Sequence, residues 1–512
     1  MLTRLRRETA QALYSFLENT LYETIMTWKE TAEPVLSRMP SVKRSTGHIP
    51  LKKKLLWTAG VLVVYFFLTN IPLFGAAEGG ADVFGGFRSI LAGEQGTLMQ
   101  VGIGPIVTAS IVLQLMTGAN LLGLDTSDPR DQILYQGLQK LLVVVVTALT
   151  AIPLTFVGGF LVADQGLASS LGVSTTMLYM LIYLQVFFGG ILILYMDEIV
   201  SKWGIGSGVG LFIIAGVSQR FIGGIFAWEG LGGTIGILPQ WFYFLTGRQE
   251  LASPFTSDGF MTIMFGEGQV LAIITTMLIF FIVVYAESVR VEIPLSHARV
   301  KSGRGSFPVK LIYASVLPMI LVRAVQMNIQ FMGSILNEQW AAMPSFLGEY
   351  GADGQPISGF FYYTNPVNSP QEWMWWAYAV GQEPWQIMMR VGIDLFIMVV
   401  GGAVFAIFWV ETTDMGPKAT AKQIQNTGMQ IPGFRRNPKI LEKVLARYIP
   451  QVTVIGGALV GFLAVMANLL GTIGTVDGIG LLLTISILYK LYEEIAQEQL
   501  MEMHPMMRRF FD

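Results

Sequence analysis

The most restrictive feature of this chain is a series of apolar stretches, each about as long as a bilayer is thick. A helix of roughly 20 residues crosses the hydrocarbon core, and stretches of that length recur along the whole sequence. Of the 512 residues, 53% are hydrophobic and only 13% are charged, whereas a soluble domain carries about 25% charged residues. The sequence therefore predicts an all-α polytopic membrane protein. The predicted spans are 55–74, 100–122, 139–162, 176–196, 207–226, 268–286, 311–332, 387–410, 451–470 and 477–493.

The positions of Lys and Arg indicate which ends of the spans face the cytoplasm. Of the 33 Lys and Arg residues, 28 lie in the terminal segments and in the loops that join spans 2 and 3, 4 and 5, 6 and 7, and 8 and 9. Another 4 lie on the opposite side. The remaining one, Arg323, lies within a span. Because cytoplasmic loops carry the excess of basic residues, both termini are predicted to be cytoplasmic.

The composition and spacing of the sequence argue against several classes of site. It has no Cys, which excludes disulfides and thiolate ligands. The 3 His are scattered, so we predict no metal site and no cofactor. The GIGSGVG stretch at 204–210 lacks the Lys-Ser/Thr pair of a phosphate-binding loop. Among the few intramembrane charges, Asp394 is expected to pair with Arg390, and no acidic group is convincingly placed for proton coupling.

A basic arm at 287–310 separates two apolar spans. From Ser288 to Ser296 apolar and polar residues alternate, which is typical of a strand. The turn residues SGRGS follow at 302–306, and the chain can then return. The arm is therefore predicted to be a hairpin with Lys301 and Arg304 at its tip.

A second basic arm covers residues 411–450. A Pro- and Gly-containing turn near 432–438 presents two adjacent arginines, Arg435 and Arg436. Such charges can be ordinary positive-inside residues that attract anionic lipid. They can also bind phosphate backbones, including ribosomal RNA. The sequence alone leaves both interpretations open.

The segment 85–96 is too polar for a full crossing and too apolar for a plain loop. Backbone of this kind is tolerated at membrane depth only inside protein or against water. We predict a re-entrant, cavity-filling segment, with an ordinary loop as the alternative.

Long stretches of the sequence resemble the SecY family in its archaeal form, akin to the eukaryotic endoplasmic-reticulum translocon α subunit. The matching motifs are GIGPIVTASIVLQLMTGAN, DEIVSKWGIGSGVGLFIIAGVSQ, VYAESVRVEIPLSHARVK, FWVETT and GMQIPGFRR. The resemblance runs from about Trp28 to the C-terminus. It implies ten transmembrane helices in two inverted five-helix halves around an hourglass pore, with a re-entrant plug helix and cytoplasmic hairpin arms.

The resemblance also implies a function and partners. The chain would be the central channel subunit of the Sec protein translocase in the cell membrane, and not an enzyme. It would pass unfolded polypeptides across the membrane and release transmembrane segments laterally, co-translationally with docked ribosomes. Implied partners are a SecE-like γ subunit, a small β subunit, the ribosome with its nascent chain, signal peptides, transmembrane segments and lipid, with SecD/SecF as further candidates.

Site residues follow from the resemblance by position. The pore ring is Ile103, Val107, Val209, Ile213, Ile320 and Leu483. The plug, at about 85–96, presents Phe87, Ile90, Leu91 and Glu94. Polar positions at the lateral gate are Thr108, Thr150 and Asn328, and some archaeal relatives carry Glu where Thr150 stands here. The ribosome-docking residues are Lys301, Arg304, Arg435 and Arg436.

The expected organisation divides the chain into five parts: 1–25 outside the family pattern, a cytoplasmic amphipathic segment 26–54, an N-terminal half 55–226, a C-terminal half 268–493 and a cytoplasmic tail 494–512. Residues 1–25 either form an amphipathic surface helix or precede the true start at Met26.

Two other functions and one residue remain open. A carrier of an apolar or neutral solute would need a saturable solute site and ion ligands, and a membrane-embedded enzyme would need a reactive grouping. Neither is seen in the sequence. Arg323 is unusual for the family, and it could meet Glu94 or extend outward.

Overall fold

The structure is a computed structural model that describes most of the chain. The described residues are 29–45, 47, 49–77, 85–118, 121–124, 128–157, 160–228, 235–248, 255–266, 268–297, 304–312, 317–340, 343–351, 354–378, 380–413, 415–426, 429–430 and 438–503. The predictions for residues 1–25 and for Lys301, Arg435 and Arg436 lie outside these ranges.

The described chain is mainly helical, and its helices begin where the sequence supplies caps. Asp128, Ser174 and Ser207 each accept a hydrogen bond from a backbone N–H of the following first turn, which satisfies a donor that has no partner within the helix. The helices are α1 Leu51–Thr69, α2 Arg88–Leu91, α3 Gly104–Gly118, α4 Pro129–Phe156, α5 Gln165–Leu171, α6 Thr175–Trp203, α7 Gly208–Phe226, α8 Ile237–Leu245, α9 Ser257–Met264, α10 Val270–Ser288, α11 Leu317–Gln339, α12 Gly359–Thr364, α13 Pro384–Thr412, α14 Pro417–Asn426, α15 Pro438–Leu470 and α16 Gly478–Met503.

The strands and 3₁₀ turns are short. The strands are β1 Arg290–His297, β2 Arg304–Lys310, β3 Glu349–Tyr350, β4 Pro356–Ser358 and β5 Met429–Gln430, and the 3₁₀ turns are Gly85–Phe87, Pro370–Glu372 and Ile473–Thr475. Strands β3 and β4 pair with each other in the long segment between α11 and α13.

Ten of these helices coincide with the ten predicted spans: α1, α3, α4, α6, α7, α10, α11, α13, α15 and α16. Seven helices in the described chain are long and apolar enough to cross a membrane by length and composition alone. Helix α3 is apolar but has only 15 residues, α1 starts with three lysines, and α16 carries charges in its second half. These charges make α1 and α16 less apolar than the seven.

Several helices extend beyond the predicted spans, because hydropathy detects only the apolar part of a helix. Helix α4 begins at Pro129 rather than 139, and α16 continues to Met503 rather than ending at 493. Helix α15 begins at Pro438, inside the second arm. The additional turns carry polar and charged side chains in each case, and their backbone hydrogen bonds are satisfied within the helix. Helix α11 begins at Leu317, and the four residues before it are not described.

The two basic arms form one sheet. The predicted hairpin is present, since β1 and β2 pair antiparallel with Ile293 opposite Phe307. Strand β5, from the second arm, pairs antiparallel with the far end of β1, with Ser296 opposite Gln430. The strand order is therefore β2-β1-β5, a connection between the arms that the sequence did not reveal.

The segment 29–45 lies across the ends of α4 and α6 on the side of the arms. Lys140 and Lys202 both bind Glu198, at 2.7 and 2.6 Å, and both also donate to backbone carbonyls of the segment. The guanidinium of Arg130, hydrogen-bonded to Glu33, holds the pKa of that carboxyl below its usual range. These polar contacts fix the segment to the N-terminal helices.

Candidate pore and its closure

The six predicted ring residues come from four helices and meet in one apolar cluster. Ile103 directly precedes α3, and Val107 lies on α3. Ile213 lies on α7, Ile320 on α11 and Leu483 on α16. These five residues are buried in the cluster, and Val209 of α7 packs against it. The pairs 103/107 and 209/213 are spaced four residues apart, which places each pair on one helix face. The fold thus brings together aliphatic side chains that are far apart in sequence.

The predicted plug lies against this cluster. It consists of the 3₁₀ turn Gly85–Phe87 and the short helix α2, and Phe87, Ile90 and Leu91 are buried. We call the narrow space between the plug and the ring the plug gap. The plug gap has room for at most about one water molecule. It is lined by Phe87, Ile90, Leu91, Ile103, Gly104, Val107, Ile320, Arg323, Ala324 and Met327.

Hydrogen bonds to the backbone of the plug hold it in place. The N–H of Ile103 donates to the carbonyl of Leu91 at 2.7 Å, and the Tyr65 hydroxyl donates to the carbonyl of Ala92 at 2.8 Å. Gly102 has φ +56°, and a Cβ there would lie 2.1 Å from the Leu91 oxygen. A side chain at position 102 would therefore force the plug away from the start of α3.

Two charged residues of the plug segment have partners. Arg88 is buried and donates to the carbonyl of Gln100 at 3.0 Å. Glu94, on the rim, binds Arg220 of α7 at 3.3 Å. Since Glu94 pairs with Arg220, the candidate contact between Glu94 and Arg323 is wrong.

Arg323 is instead buried between helices. Its Nη1 donates to Gln326 Oε1 at 2.9 Å and to Asp394 Oδ1 of α13 at 3.3 Å. The other oxygen of Asp394 accepts the N–H of Val367 at 3.3 Å. Arg323 and Asp394 are each only 1% exposed. Asp394 is therefore an acidic group buried within a predicted span, where it is ion-paired with Arg323.

The predicted pair between Asp394 and Arg390 is also wrong. Arg390 binds Glu372 at 2.6 Å and donates to the carbonyls of Asn365 and Pro366. The i,i+4 rule considers only neighbours on the same helix. Here each of the two side chains finds its partner on another element, a contact that requires the tertiary fold.

The three predicted gate residues do not form a hydrogen-bonded set. Asn328 donates to the carbonyl of Ala324 on its own helix, at 2.8 Å. Within the described ranges, the Thr108 and Thr150 hydroxyls make no hydrogen bond to another helix. Helices α3 and α11, which carry Thr108 and Asn328, are nevertheless in contact along one seam.

Of the four predicted docking residues, only Arg304 falls in a described element, as the first residue of β2. Its position at the end of the hairpin next to the tip agrees with the sequence-based expectation for the backbone. The remaining three lie outside the described residues.

A wider cavity lies on the plug side of the ring. About 1230 Å³ of space, part of it open to solvent, is lined by polar and apolar groups that include Gly85, Arg220, Gln269 and Thr472. In the described part of the chain no three His, Asp or Glu side chains are grouped as metal ligands. The aliphatic side chains of the ring repel water and ions and offer no polar group that could bind one substrate tightly.

Comparison with known proteins places this geometry in context. A model of the SecY family matches residues 97–492, and a model described as the plug domain of Sec61p matches residues 63–96. The protein translocase subunit SecY of Haloferax volcanii is 66% identical over 489 residues, which are 95% of this chain and 99% of the relative.

Solved structures agree with the sequence comparison. A protein-conducting channel matches with a TM-score of 0.75 at 38% identity, covering 92% of this chain and 98% of that one. Sec61 in a canine ribosome–channel complex from the endoplasmic reticulum matches with a TM-score of 0.72 at 38% identity and the same coverage.

Proposed function

The chain belongs to the SecY family, and from this premise we propose that it is the central channel-forming subunit of a Sec protein translocase. It is not an enzyme. It passes unfolded secretory polypeptides across the membrane and releases transmembrane segments sideways into lipid. The observation that carries this proposal is the aliphatic ring covered by the plug. Aliphatic side chains make no specific polar contacts with a passing polypeptide, so that unfolded chains of any sequence can slide through the ring.

Closure of the idle channel follows from two layers. The ring dewets the constriction, and the plug residues Phe87, Ile90 and Leu91 fill the space next to it. The hydrogen bonds that hold the plug include those from Ile103, Tyr65 and Arg88, and Glu94 adds an ion pair on the rim. Each neutral hydrogen bond contributes only about 1 kcal/mol net, and an entering polypeptide has to displace these contacts together with the buried apolar side chains of the plug.

The lateral gate is the seam between α3 and α11. Both helices contribute residues to the ring, and they touch across it. A segment that partitions into lipid through this seam would contact Thr108 and Asn328. Insertion then follows the transfer free energy of each residue from channel to bilayer.

Crosslinking tests this gate. A photoreactive amino acid at Thr108 should crosslink to the signal segment of a ribosome-stalled chain in intact membranes. The same probe at Val400 of α13, which is 42% exposed on the apolar surface, should give at most a weak background signal. If the signal segment crosslinked to Val400 and never to Thr108, the gate assignment would be wrong.

The arms support a docking role at the membrane surface. We infer that both termini and both arms are cytoplasmic in a multi-pass protein of the cell membrane. The shared sheet β2-β1-β5 is a firm base for the two basic tips. Ribosomes bound through Lys301, Arg304, Arg435 and Arg436 would deliver nascent chains to the ring. A SecE-like γ subunit and a small β subunit complete the proposed complex, with SecD/SecF as further candidates.

Charge reversal tests docking. Arg435→Glu with Arg436→Glu should weaken ribosome binding to purified complex by at least about tenfold at low salt, with a smaller effect at high salt. Lys443→Glu with Arg447→Glu is the matched control, because it changes the charge equally on exposed positions of α15. Equal ribosome binding by all three proteins would count against the docking assignment.

A further inference from the structure

Arg323 is a buried charged group that the proposed mechanism leaves unused. It lies one turn from Ile320 on α11 and is 1% exposed. Its Nη1 has two partners, Gln326 and Asp394. Its Nη2 has no hydrogen-bond partner among the described residues. A buried charge is costly unless it is both paired and fully hydrogen-bonded, so this guanidinium is only partly satisfied in the closed channel.

The same side chain faces the plug gap. Arg323 lines that space together with Ile90 of the plug and Ile103 and Ile320 of the ring. The gap is almost filled, and its other lining residues are all apolar or glycine. When the plug leaves and the ring widens, water reaches this space and can hydrate Nη2. Opening therefore relieves a desolvation cost that exists only in the closed state.

The ion pair does not have to break for the gate to open. Arg323 and Asp394 join α11 to α13, which are neighbours in the C-terminal half. The opposing gate helix α3 has no charged residue, so the pair does not cross the seam between α3 and α11. A latch that holds the seam closed would need a partner on α3.

We propose that the buried pair Arg323–Asp394 sets the opening threshold of the channel by favouring the hydrated, open state. This pair thereby lowers the hydrophobicity that a signal segment needs to open the channel. The inference rests on the proposed function and adds a specificity-determining role to it. The two residues act as positioning residues for α11, since they tune how readily that helix moves away from the plug.

The test compares a neutral pair with the native pair. In cells whose sole channel subunit carries Arg323→Met with Asp394→Asn, a reporter is exported behind signal segments in which Leu is replaced stepwise by Ala. Export of the weakest functional signal should fall about fivefold, whereas export of the strongest should stay unchanged. Equal or better export of weak signals by the double variant would overturn the proposal, since the pair would then be neutral or a latch.

The control removes another ion pair of α13, the helix that carries Asp394. Arg390 binds Glu372 at 2.6 Å and does not line the plug gap. Arg390→Met with Glu372→Gln should leave the dependence of export on signal hydrophobicity unchanged. A shift as large as that of the first double variant would show a general loss of stability and would also overturn the proposal.

A second measurement keeps the native pair and does not depend on the folding of that double variant. Because the chain has no Cys, Ala324→Cys places one thiol in the plug gap. A small, hydrophilic thiol reagent should label it roughly tenfold faster in channels engaged by a stalled chain than in idle channels. Unchanged labelling, while the stalled chain crosslinks to Ile320→Cys, would refute the hydration step. Absence of that crosslink would instead refute the proposed function.

Discussion

Two helix contacts of this molecule are built in opposite ways. Helices α13 and α15 meet through glycines, and a Cβ on Gly402 would lie 2.7 Å from the carbonyl oxygen of Gly457. Helices α3 and α11 instead meet through aliphatic side chains beside the plug gap, where Val107 and Ile320 lie. The first contact lies within the C-terminal half and the second joins the two halves.

The difference indicates which contact can open. Backbones packed through glycine have many close contacts and no small rearrangement that keeps them, as at small-residue helix contacts in membranes. Aliphatic side chains can change rotamer and slide past one another, and they form no directional bonds across the α3–α11 seam. We expect the α13–α15 contact to remain closed throughout the transport cycle while the α3–α11 seam opens.

The largest predicted effect comes from breaking the glycine contact. Gly402→Leu would place its Cβ 2.7 Å from the carbonyl oxygen of Gly457 on α15, and overpacking of this kind costs about 1–3 kcal/mol or more. The purified complex should lose thermal stability strongly. Gly392→Leu, on the same helix with nothing within 4 Å of its Cβ, should be nearly neutral. Similar melting temperatures for both variants would contradict the close-contact argument.

The next effect concerns the seal. Ile320→Asn puts an amide into the ring, where it attracts water that the aliphatic side chain repels. Ion leakage through reconstituted idle channels should rise at least about fivefold. Val325→Asn is the control, because Val325 lies on the same helix and is 39% exposed. If both variants leaked equally, the ring would not be the constriction.

A smaller effect is expected where the plug is anchored. Tyr65→Phe removes the hydroxyl that donates to the Ala92 carbonyl at 2.8 Å, which should cost the closed state about 1 kcal/mol. Proteolytic or chemical access to the plug should increase severalfold. Tyr285→Phe, at a position that is 72% exposed, should change nothing. Unchanged plug access in the Tyr65 variant would show that this hydrogen bond does not hold the plug.

The smallest effect should come from the rim. Glu94→Gln breaks the ion pair between Glu94 and Arg220. The Glu94 side chain is 50% exposed, and exposed pairs contribute at most about 1 kcal/mol. Plug access should rise slightly at low salt and not at high salt, because salt screens the native pair. Glu338→Gln, on an exposed turn of α11, serves as the control. A large effect that did not depend on salt would mean that Glu94 acts through something other than this pair.

The backbone of the first arm could be predicted because its signal is local. Alternation of apolar and polar residues from Ser288 to Ser296 is sufficient to indicate a strand, and β1 pairs with β2 as expected. Strand β5 has only two residues, Met429 and Gln430, which is too short to show a period. Its pairing with β1 depends on the tertiary fold and could not be predicted.

The candidate site depended on resemblance rather than on pattern. Ile103 and Leu483 look like any aliphatic residue of a membrane span, and only their positions in the family resemblance distinguished them before the fold brought them together. The partner of Arg323 was missed for a different reason. Asp394 lies 71 positions away, and helical spacing gives no information about contacts between helices.

The central claim is that polypeptides pass through the ring beside the α3–α11 seam. The most direct measurement places a single Cys at Ile320, or separately at Ala406 in the α13–α15 contact, and one Cys in a ribosome-stalled secretory chain. Disulfide crosslinks are then scored in membranes for a series of nascent-chain lengths. We predict crosslinks from Ile320→Cys that depend on chain length and none from Ala406→Cys, which is 0% exposed. No crosslink from Ile320→Cys at any length, in an intact ribosome-bound complex, would contradict the account.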